Sequence, residues 1–160
     1  MNAKPISRIQ RIDFLPANAS KVIDVYKPLF HFRMKLPLYQ SRIQAGYPSP
    51  ADDHLDKELD LMEKLIQNKQ STFYLQVTGD SMKGCGIFDG SIVIVDRSLK
   101  AKDGKIVIAV VNGEFTCKRL KIENRLVYLC AENKDYQDIL VTEDMNFRVW
   151  GVVTATVTSF

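Results

Sequence analysis

The sequence predicts a mainly β fold, a curved and partly closed sheet accompanied only by short helices. Seven short segments rich in β-branched and aromatic residues follow one another after residue 70, and turn residues separate them. The clearest signal is Asn112-Gly113 between two of these segments, because this dipeptide supplies the positive φ angles of a tight hairpin turn. The predicted strands are 72–77, 92–95, 105–111, 114–120, 125–129, 139–142 and 147–157.

Short helices are expected only before this sheet. Ser49 and Pro50 can start a helix, after which apolar residues recur on one face as far as Ile66. Nearer the amino end, four prolines limit any helix to short turns, for which 18–26 is the best candidate. Apolar residues alternate with other types over 30–38, which predicts an extended segment able to lie along a sheet or a groove.

The first 45 residues differ from the rest in charge. Eight lysines and arginines against two aspartates give residues 1–45 a net charge of +6, whereas the whole chain carries +3 and residues 46–160 therefore −3. We interpret 1–45 as a basic, extended N-terminal arm and 46–160 as the folded domain, which the length of 160 residues allows. The basic charge would favour nucleic acid or acidic partners, or it is ordinary solvating charge.

The chain can make a serine nucleophile without histidine, of which it has only His31 and His54. Ser81 lies in the segment Thr78-Gly79-Asp80-Ser81-Met82, and Lys118 follows 37 positions later on a predicted strand. A serine hydroxyl needs a nearby base, and a neutral lysine is a recognised alternative to histidine. Such a lysine belongs on a largely apolar surface, since burial disfavours the ammonium ion.

Strand alternation gives Lys118 suitable neighbours. Thr116, Lys118 and Leu120 share one face of the predicted strand, while Cys117 shares the other. The Thr116 hydroxyl could orient the amine without adding a negative charge that would keep it protonated. Two plainer interpretations stay open at this point: Ser81 occupies an ordinary turn, and Lys118 keeps its head group in water.

Further motifs in order make the chain resemble the UmuD branch of the LexA-type self-cleaving peptidases. One is Gln44-Ala45-Gly46-Tyr47-Pro48-Ser49-Pro50, and the resemblance runs from about Leu36 to the end of the chain. Several matches in order are far more specific than one. The other segments that carry the resemblance are 36–39, 78–82, 86–90, 113–118 and 150–153.

The resemblance implies a reaction and its residues. Ser81 would be the nucleophile, Lys118 its general base, and Ala45-Gly46 the peptide bond that the protein cuts in itself or in a partner subunit. The backbone amides of Asp80 and Ser81 would form the oxyanion hole, a role that suits consecutive N–H groups beside the attacking oxygen. No cofactor takes part.

It also implies a biological setting. Cleavage would be stimulated by the RecA filament on single-stranded DNA in the SOS response to DNA damage. The processed homodimer would then serve an error-prone, UmuC-like Y-family translesion polymerase. One departure from the family is Ser91, which stands where an acidic residue is usual, in a predicted turn before a strand.

Two other functions remain open. A LexA-like transcriptional regulator would bind DNA through its basic arm and be inactivated by cleavage, although a proline-interrupted arm is short for a DNA-binding domain. Alternatively, the dyad is idle and the domain only mediates dimerisation or polymerase binding. Signal peptidases share the Ser-Lys pair, but the apolar runs here are far shorter than the roughly 20 residues of a membrane-spanning helix.

The cysteines predict neither a metal site nor a disulfide framework. Cys85, Cys117 and Cys130 are odd in number and lack the spacing of metal ligands, and no phosphate-binding glycine loop is present. With no signal sequence ahead of them, they indicate the reducing cytoplasm, without a membrane. Cys117 is expected to pack in the core rather than act as a nucleophile.

Overall fold

The computed structural model describes residues 10–11, 22–27, 35–39 and 55–160. A short helix α1 covers Leu61–Leu65 and a single 3₁₀ turn covers Lys83–Cys85. The predicted class, mainly β with short helices, is confirmed. The strands are β1 (Gln10–Arg11), β2 (Val22–Lys27), β3 (Lys35–Tyr39), β4 (Leu55–Asp60), β5 (Thr72–Val77), β6 (Ile92–Asp96), β7 (Ile106–Val111), β8 (Glu114–Glu123), β9 (Leu126–Cys130), β10 (Ile139–Leu140) and β11 (Phe147–Val157).

The described residues form two compact units. The first contains β1, β2 and residues 68–160, and the second contains β3, β4 and α1. The first unit holds a nine-stranded antiparallel sheet in the order β1-β2-β5-β6-β11-β7-β8-β9-β10. Within the described ranges this sheet is not closed, because β1 and β10 form its two edges. The predicted division after residue 45 lies at the bond that the resemblance implies is cut, and it stays a prediction.

Two helix predictions were wrong. Residues Val22–Lys27 form β2, which pairs with β5, rather than part of a helical turn. This segment carries three β-branched residues and a tyrosine, which favour a strand once a partner strand is available. The helix predicted from Pro50 is also mostly absent from the described residues, because Leu55–Asp60 is strand β4.

The second unit contains a two-stranded sheet of β3 and β4. Leu36 lies opposite Leu59 and Pro37 opposite Glu58. The extended conformation predicted over 30–38 is therefore confirmed for 35–38, and 30–34 lie outside the described residues. Pairing with β3 gives the backbone N–H and C=O groups of β4 hydrogen-bond partners, whereas an isolated short helix is only marginally stable in water. The helix α1 begins only where Asp60 caps it, since its carboxylate accepts from the amides of the second and third following residues at 3.0 and 3.1 Å.

Strand β7 is buried on both faces and forms the centre of the first unit. Ile108 and Val110 belong to one apolar cluster, whereas Val107 and Ala109 belong to a second. The first cluster also contains Leu75, Val77, Met82, Ile87, Val93, Val95, Phe115 and Cys117. The second also contains Leu120, Leu129 and Val152. Strand β8, the hairpin partner of β7, therefore pairs with a strand that is buried on both faces.

Gly151 lies where the register between β11 and β7 shifts, and it has no room for a side chain. A Cβ at this position would lie 2.6 Å from Val95 Cγ1 and 3.4 Å from the carbonyl oxygen of Asp96. We expect Gly151→Ala to lower the free energy of unfolding by about 1 to 3 kcal/mol, because overpacking displaces neighbouring side chains. Urea unfolding measures the change, with Val157→Ala, exposed on the same strand, as the control. Equal stability of Gly151→Ala and wild type would contradict the prediction.

Candidate active site

The serine turn, which we define as residues 78–82, begins directly after β5. Gly79 has a φ of +85°, a conformation that glycine adopts without steric cost. Its amide donates to Asp89 Oδ1 at 2.7 Å. At the other end of the turn, Met82 is buried in the first apolar cluster. Ser81 is therefore held between two fixed points.

Lys118 lies on β8 and reaches Ser81. Its Nζ donates to Ser81 Oγ at 2.7 Å and to the carbonyl oxygen of Cys117 at 3.1 Å. Lys118 is 4% exposed, whereas Ser81 is half-buried. The interpretation in which Lys118 keeps its head group in water is therefore wrong. The fold brings together two side chains that are 37 positions apart in the sequence.

The face of β8 that carries Lys118 is apolar. Lys118 lies opposite Val107 and Thr116 lies opposite Ala109 in the β7–β8 register. Both partners belong to the second apolar cluster, as does Leu120. This confirms the face that strand alternation predicted for Lys118. Burial on such a surface disfavours an ammonium ion, because the charge is removed from water.

The hydroxyl of Thr116 does not make the orienting hydrogen bond that we predicted. Thr116 is buried, and its Oγ1 has no hydrogen-bond partner in the part of the chain that the structure describes. The carbonyl oxygen of Cys117 accepts from Lys118 Nζ instead. Cys117 directly precedes Lys118 on β8, so the backbone of this strand orients the Lys118 amine in the described structure.

Cys117 packs on the opposite face of β8, as predicted. It is buried in the first apolar cluster. Desolvation by this burial raises the pKa of its thiol to about 12. Because the thiolate is the reactive form, a thiol with such a pKa is a poor nucleophile at neutral pH.

The loop between β9 and β10, residues 131–138, fastens the serine turn. The amide of Glu132 donates to the carbonyl oxygen of Ser81 at 2.8 Å, and the Gly84 amide donates to the carbonyl oxygen of Glu132 at 2.7 Å. Only glycine permits this approach, since a Cβ on Gly84 would lie 2.3 Å from that oxygen of Glu132. The loop is therefore bonded to Ser81 itself and to Gly84, three residues further along the chain.

Arg119 connects the 131–138 loop to β8. Its Nε donates to a carboxylate oxygen of Glu132, and its Nη1 donates to the carbonyl oxygen of Gly104 at 2.6 Å. Arg119 is the neighbour of Lys118 in the sequence. Strand β8 therefore carries Lys118 and also bonds the 131–138 loop, and this loop in turn bonds the serine turn.

Asp80 is bonded through both its side chain and its backbone. Tyr136 Oη donates to Asp80 Oδ1 at 2.5 Å, and Asn133 Nδ2 donates to the carbonyl oxygen of Asp80 at 3.1 Å. The hydrogen bond from Tyr136 lowers the pKa of the Asp80 carboxyl below its ordinary value, and the nearby charge of Lys83 acts in the same direction. The same bond raises the pKa of Tyr136. At neutral pH the pair is therefore carboxylate and phenol.

The amides predicted to form the oxyanion hole both belong to the serine turn, being those of Asp80 and Ser81. Their role stays a prediction. The bond between Ala45 and Gly46 lies outside the described residues.

Sequence reasoning did not anticipate the 131–138 loop. Together with Lys83 and Gly84, the loop lines an open groove of about 820 Å³ next to the serine turn. Polar residues after β9 indicate a turn, but their spacing does not show where the turn leads. Asn133 is 53 positions away from Asp80 in the sequence, and only the sheet order brings them together.

Comparison with known proteins identifies the family of this chain. Residues 37–154 match the family described as Peptidase S24-like. The chain belongs to this peptidase family. Protein MucA of Escherichia coli is 42% identical to this S24 peptidase over 120 residues, which cover 74% of the chain and 82% of MucA. Protein ImpA of Shigella flexneri is 41% identical over 118 residues, which cover 74% of the chain and 80% of ImpA.

The S24 peptidase is also similar to a LexA repressor from Albidiferax ferrireducens. The two are 36% identical over 125 residues, which cover 78% of the chain but 55% of the repressor. The matches confirm the resemblance inferred from the motifs: the chain is a UmuD-like member of the LexA/UmuD group. That family supports the general class of a self-cleaving serine peptidase.

The described ranges contain neither a cluster of metal ligands nor a membrane-spanning helix. No group of three or more His, Cys, Asp or Glu residues in these ranges is placed to hold a metal ion. Both histidines, His31 and His54, lie outside the described residues. Among the helices that the structure describes, none has the length and apolar character needed to cross a membrane.

Proposed function

We propose that the chain is a serine-lysine autopeptidase that cuts its own Ala45–Gly46 bond. The observation that supports this most directly is the 2.7 Å contact between Lys118 Nζ and Ser81 Oγ, made by a lysine that is 4% exposed. Membership of the S24-like family supports the same class of reaction. Ser81 is the nucleophile in this proposal, and Lys118 is its general base.

The proposed reaction passes through an ester. A neutral Lys118 amine takes the hydroxyl proton while Ser81 Oγ attacks the carbonyl carbon of Ala45. The tetrahedral intermediate collapses when the ammonium gives that proton to the leaving nitrogen of Gly46. The new amino terminus departs, and Ala45 remains esterified to Ser81. A water molecule, deprotonated by the same amine, then attacks the ester carbonyl carbon. The bond to Ser81 Oγ breaks, the ammonium returns its proton to that oxygen, and the arm leaves with a carboxyl terminus at Ala45.

The hydrogen bonds of Lys118 suit this proton transfer. When Nζ donates to the carbonyl oxygen of Cys117, a neutral amine can turn its lone pair towards Ser81. The serine hydroxyl then donates to Nζ across the same 2.7 Å separation. The heavy atoms therefore need not move between the resting arrangement and the arrangement that transfers the proton.

The amides of Asp80 and Ser81 are the proposed oxyanion hole. Negative charge develops on the carbonyl oxygen of Ala45 during attack, and each fixed N–H donor stabilises it by about 3 kcal/mol. Hydrogen bonds to the rest of the first unit hold three consecutive residues of the turn, Gly79, Asp80 and Ser81. This fixation supports the proposal, because donors that are already oriented need no rearrangement when the charge appears.

We propose that the rate of cleavage is controlled by how often the arm docks at Ser81. If the arm docks only in a minor conformation, cleavage is slow, and a partner that favours the docked state accelerates it by population shift. We propose the RecA filament on single-stranded DNA as this partner in the SOS response, on the basis of the UmuD-like family. Cleavage would remove a segment of charge +6 and leave one of −3, which weakens long-range attraction to acidic partners.

The product 46–160 is proposed to form a homodimer that serves a UmuC-like Y-family translesion polymerase in the cytoplasm. The chain covers 80 to 82% of MucA, SamA and ImpA, against 55% of the LexA repressor, which favours this setting over a LexA-like regulator. Salt-sensitive, sequence-selective DNA binding by the uncut chain would favour the regulator instead.

Intact-mass analysis tests the proposed reaction. The purified wild-type chain is incubated at neutral and alkaline pH, with and without a RecA filament on single-stranded DNA. We expect two products, residues 1–45 and 46–160, formed faster in the presence of the filament. Cleavage at a different bond would contradict the assignment of Ala45–Gly46. A chain that stays intact under every condition would favour a dimerisation or polymerase-binding module.

Gly84→Ala is expected to slow self-cleavage by about 100-fold. The added Cβ, 2.3 Å from the carbonyl oxygen of Glu132, forces the 131–138 loop away from the serine turn, and a misplacement of about 1 Å can cost this factor. Time courses of intact mass give the rate constant, and Lys134→Ala, exposed on the same loop, is the control. Wild-type cleavage by Gly84→Ala would show that the loop does not position Ser81.

A further inference from the structure

Asn133 bonds the peptide unit that precedes Ser81. Asn133 is 8% exposed, and its Nδ2 donates to the carbonyl oxygen of Asp80 at 3.1 Å. This carbonyl group and the amide of Ser81 belong to one planar peptide unit. A contact that fixes the direction of the carbonyl group therefore also fixes the direction of the Ser81 N–H.

We propose that Asn133 is a positioning residue that aims the Ser81 amide at the oxyanion of the reaction intermediate. In a planar trans unit the C=O and N–H bonds point in opposite directions, so a donor at the oxygen directs the N–H to the far side. The amide of Lys83 also donates to this oxygen, at 3.1 Å, so both of its lone pairs are used. The inference rests on the proposed function, since the oxyanion forms only if Ser81 attacks a carbonyl group.

The side chain of Asn133 is itself fixed. Its Oδ1 accepts from the amide of Asp135 at 3.1 Å, which leaves the NH₂ end to face Asp80. Its neighbour Glu132 is bonded through the backbone to both Ser81 and Gly84. The donor is thus buried and bonded at both ends, and this kind of preorganisation is what makes an oxyanion hole effective.

The contact between Tyr136 and Asp80 differs in kind. The Tyr136 hydroxyl bonds the carboxylate of Asp80, which is separated from the backbone by rotatable bonds. Asn133 Nδ2 also donates to this carboxylate, at 3.4 Å, but its shorter bond of 3.1 Å is to the backbone oxygen. The Asp80 side chain is also 51% exposed. A bond at this end of the residue does not fix the direction of the peptide unit, so we expect the backbone bond from Asn133, rather than the contact with Tyr136, to affect the rate.

Two substitutions in the full-length chain test the inference. Asn133→Asp keeps the Oδ1 acceptor for Asp135 and removes the donor, whereas Asn133→Ala removes the donor without adding a charge. We expect each to lower the rate constant of self-cleavage by about 10- to 100-fold. For Asn133→Ala the loss is the same at every pH from neutral to about pH 10, because Lys118 remains the base that titrates. Unfolding midpoints show whether each variant is folded.

Labelling of Ser81 by diisopropyl fluorophosphate gives a second readout that needs no docking of the arm. Ser81 Oγ bonds to phosphorus, fluoride leaves, and the hydroxyl proton passes to Lys118, while a phosphoryl oxygen takes the place of the oxyanion. We expect both Asn133 variants to be labelled more slowly by a similar factor. Asn68→Ala is the matched control. The side-chain amide of Asn68 donates to the Asp96 carboxylate. Asp96 lies opposite Thr72, at the end of β5 that is farther from the serine turn.

The outcomes separate the two proposals. Asn133 variants that cut themselves and react with the phosphorus reagent at the wild-type rate would overturn the inference. A loss confined to Asn133→Asp would also overturn it, because the added charge would then be the cause. A wild-type chain that is labelled at Ser81 but does not cut itself would contradict the proposed function alone. The ratio of labelling rates would then still decide the role of Asn133.

Discussion

Ser81→Ala is expected to leave the full-length chain intact under every condition that cuts the wild type. The substitution removes the oxygen that lies 2.7 Å from Lys118 Nζ, and loss of the nucleophile in such enzymes costs at least about 1,000-fold in rate. The anchors of the turn, the Gly79 amide and the Met82 side chain, are unchanged, so the variant should fold. Intact mass after incubation with the RecA filament or at alkaline pH measures the loss.

Ser98→Ala is the matched control for this prediction. The Ser98 hydroxyl also makes a short hydrogen bond, to Asp96 Oδ1 at 2.7 Å, but at the other end of β5. We expect this variant to lose about 1 kcal/mol of stability and to cleave at the wild-type rate. Formation of residues 46–160 by Ser81→Ala would reveal another nucleophile. Cys117 is a poor candidate for that role, because its pKa is about 12.

The strands around the site could be predicted because their sequence signals are local. Asn112 and Gly113 have φ values of 51° and 87°, as expected for this dipeptide in a tight hairpin. The turn fixes the register, with Val111 opposite Glu114. Once the register is fixed, alternation assigns each side chain to a face. The buried face of Lys118 follows from these two facts.

The helix prediction around residue 55 failed because the pattern there fits two structures. Leu55 and Leu59 are four positions apart, a spacing that places residues on one face of a helix and also on one face of a strand. The pairing of Leu59 with Leu36 in the β3–β4 sheet decided the outcome. Sequence periodicity does not reveal whether such a partner strand exists.

The candidate pair Ser81 and Lys118 could be proposed from the sequence, but its supporting contacts could not. Alternation places Thr116 on the same face as Lys118, yet it does not determine which acceptor the amine reaches, and the carbonyl oxygen of Cys117 accepts from it. Asn133 depends on how the loop after β9 returns to the serine turn, which the order of strands determines. Prediction therefore stopped at contacts that need the path of a loop or the rotamer of a side chain.

Self-cleavage of the wild type is expected to accelerate as the pH rises, with Lys118 as the responsible group. Only the neutral amine can take the proton of Ser81, and the ordinary pKa of a lysine is about 10.4. Below the pKa of the amine, the neutral fraction and hence the rate rise about tenfold per pH unit. Rate constants measured without the RecA filament from neutral pH to about pH 10 test this dependence. A flat profile would count against a lysine base.

Lys118→Ala is expected to abolish both the cleavage and its pH dependence, which separates this lysine from the other amines of the chain. Lys121→Ala is the matched control, since Lys121 lies on the same strand, is 53% exposed and pairs with Glu123 at 2.8 Å. Lys118→Arg distinguishes charge from basicity, because a guanidinium keeps the positive charge but cannot accept a proton. Cleavage by Lys118→Arg at the wild-type rate would mean that the 2.7 Å contact with Ser81 is electrostatic rather than a route for the proton. An inactive Lys118→Arg beside an active Lys121→Ala would assign the base to the neutral amine of Lys118.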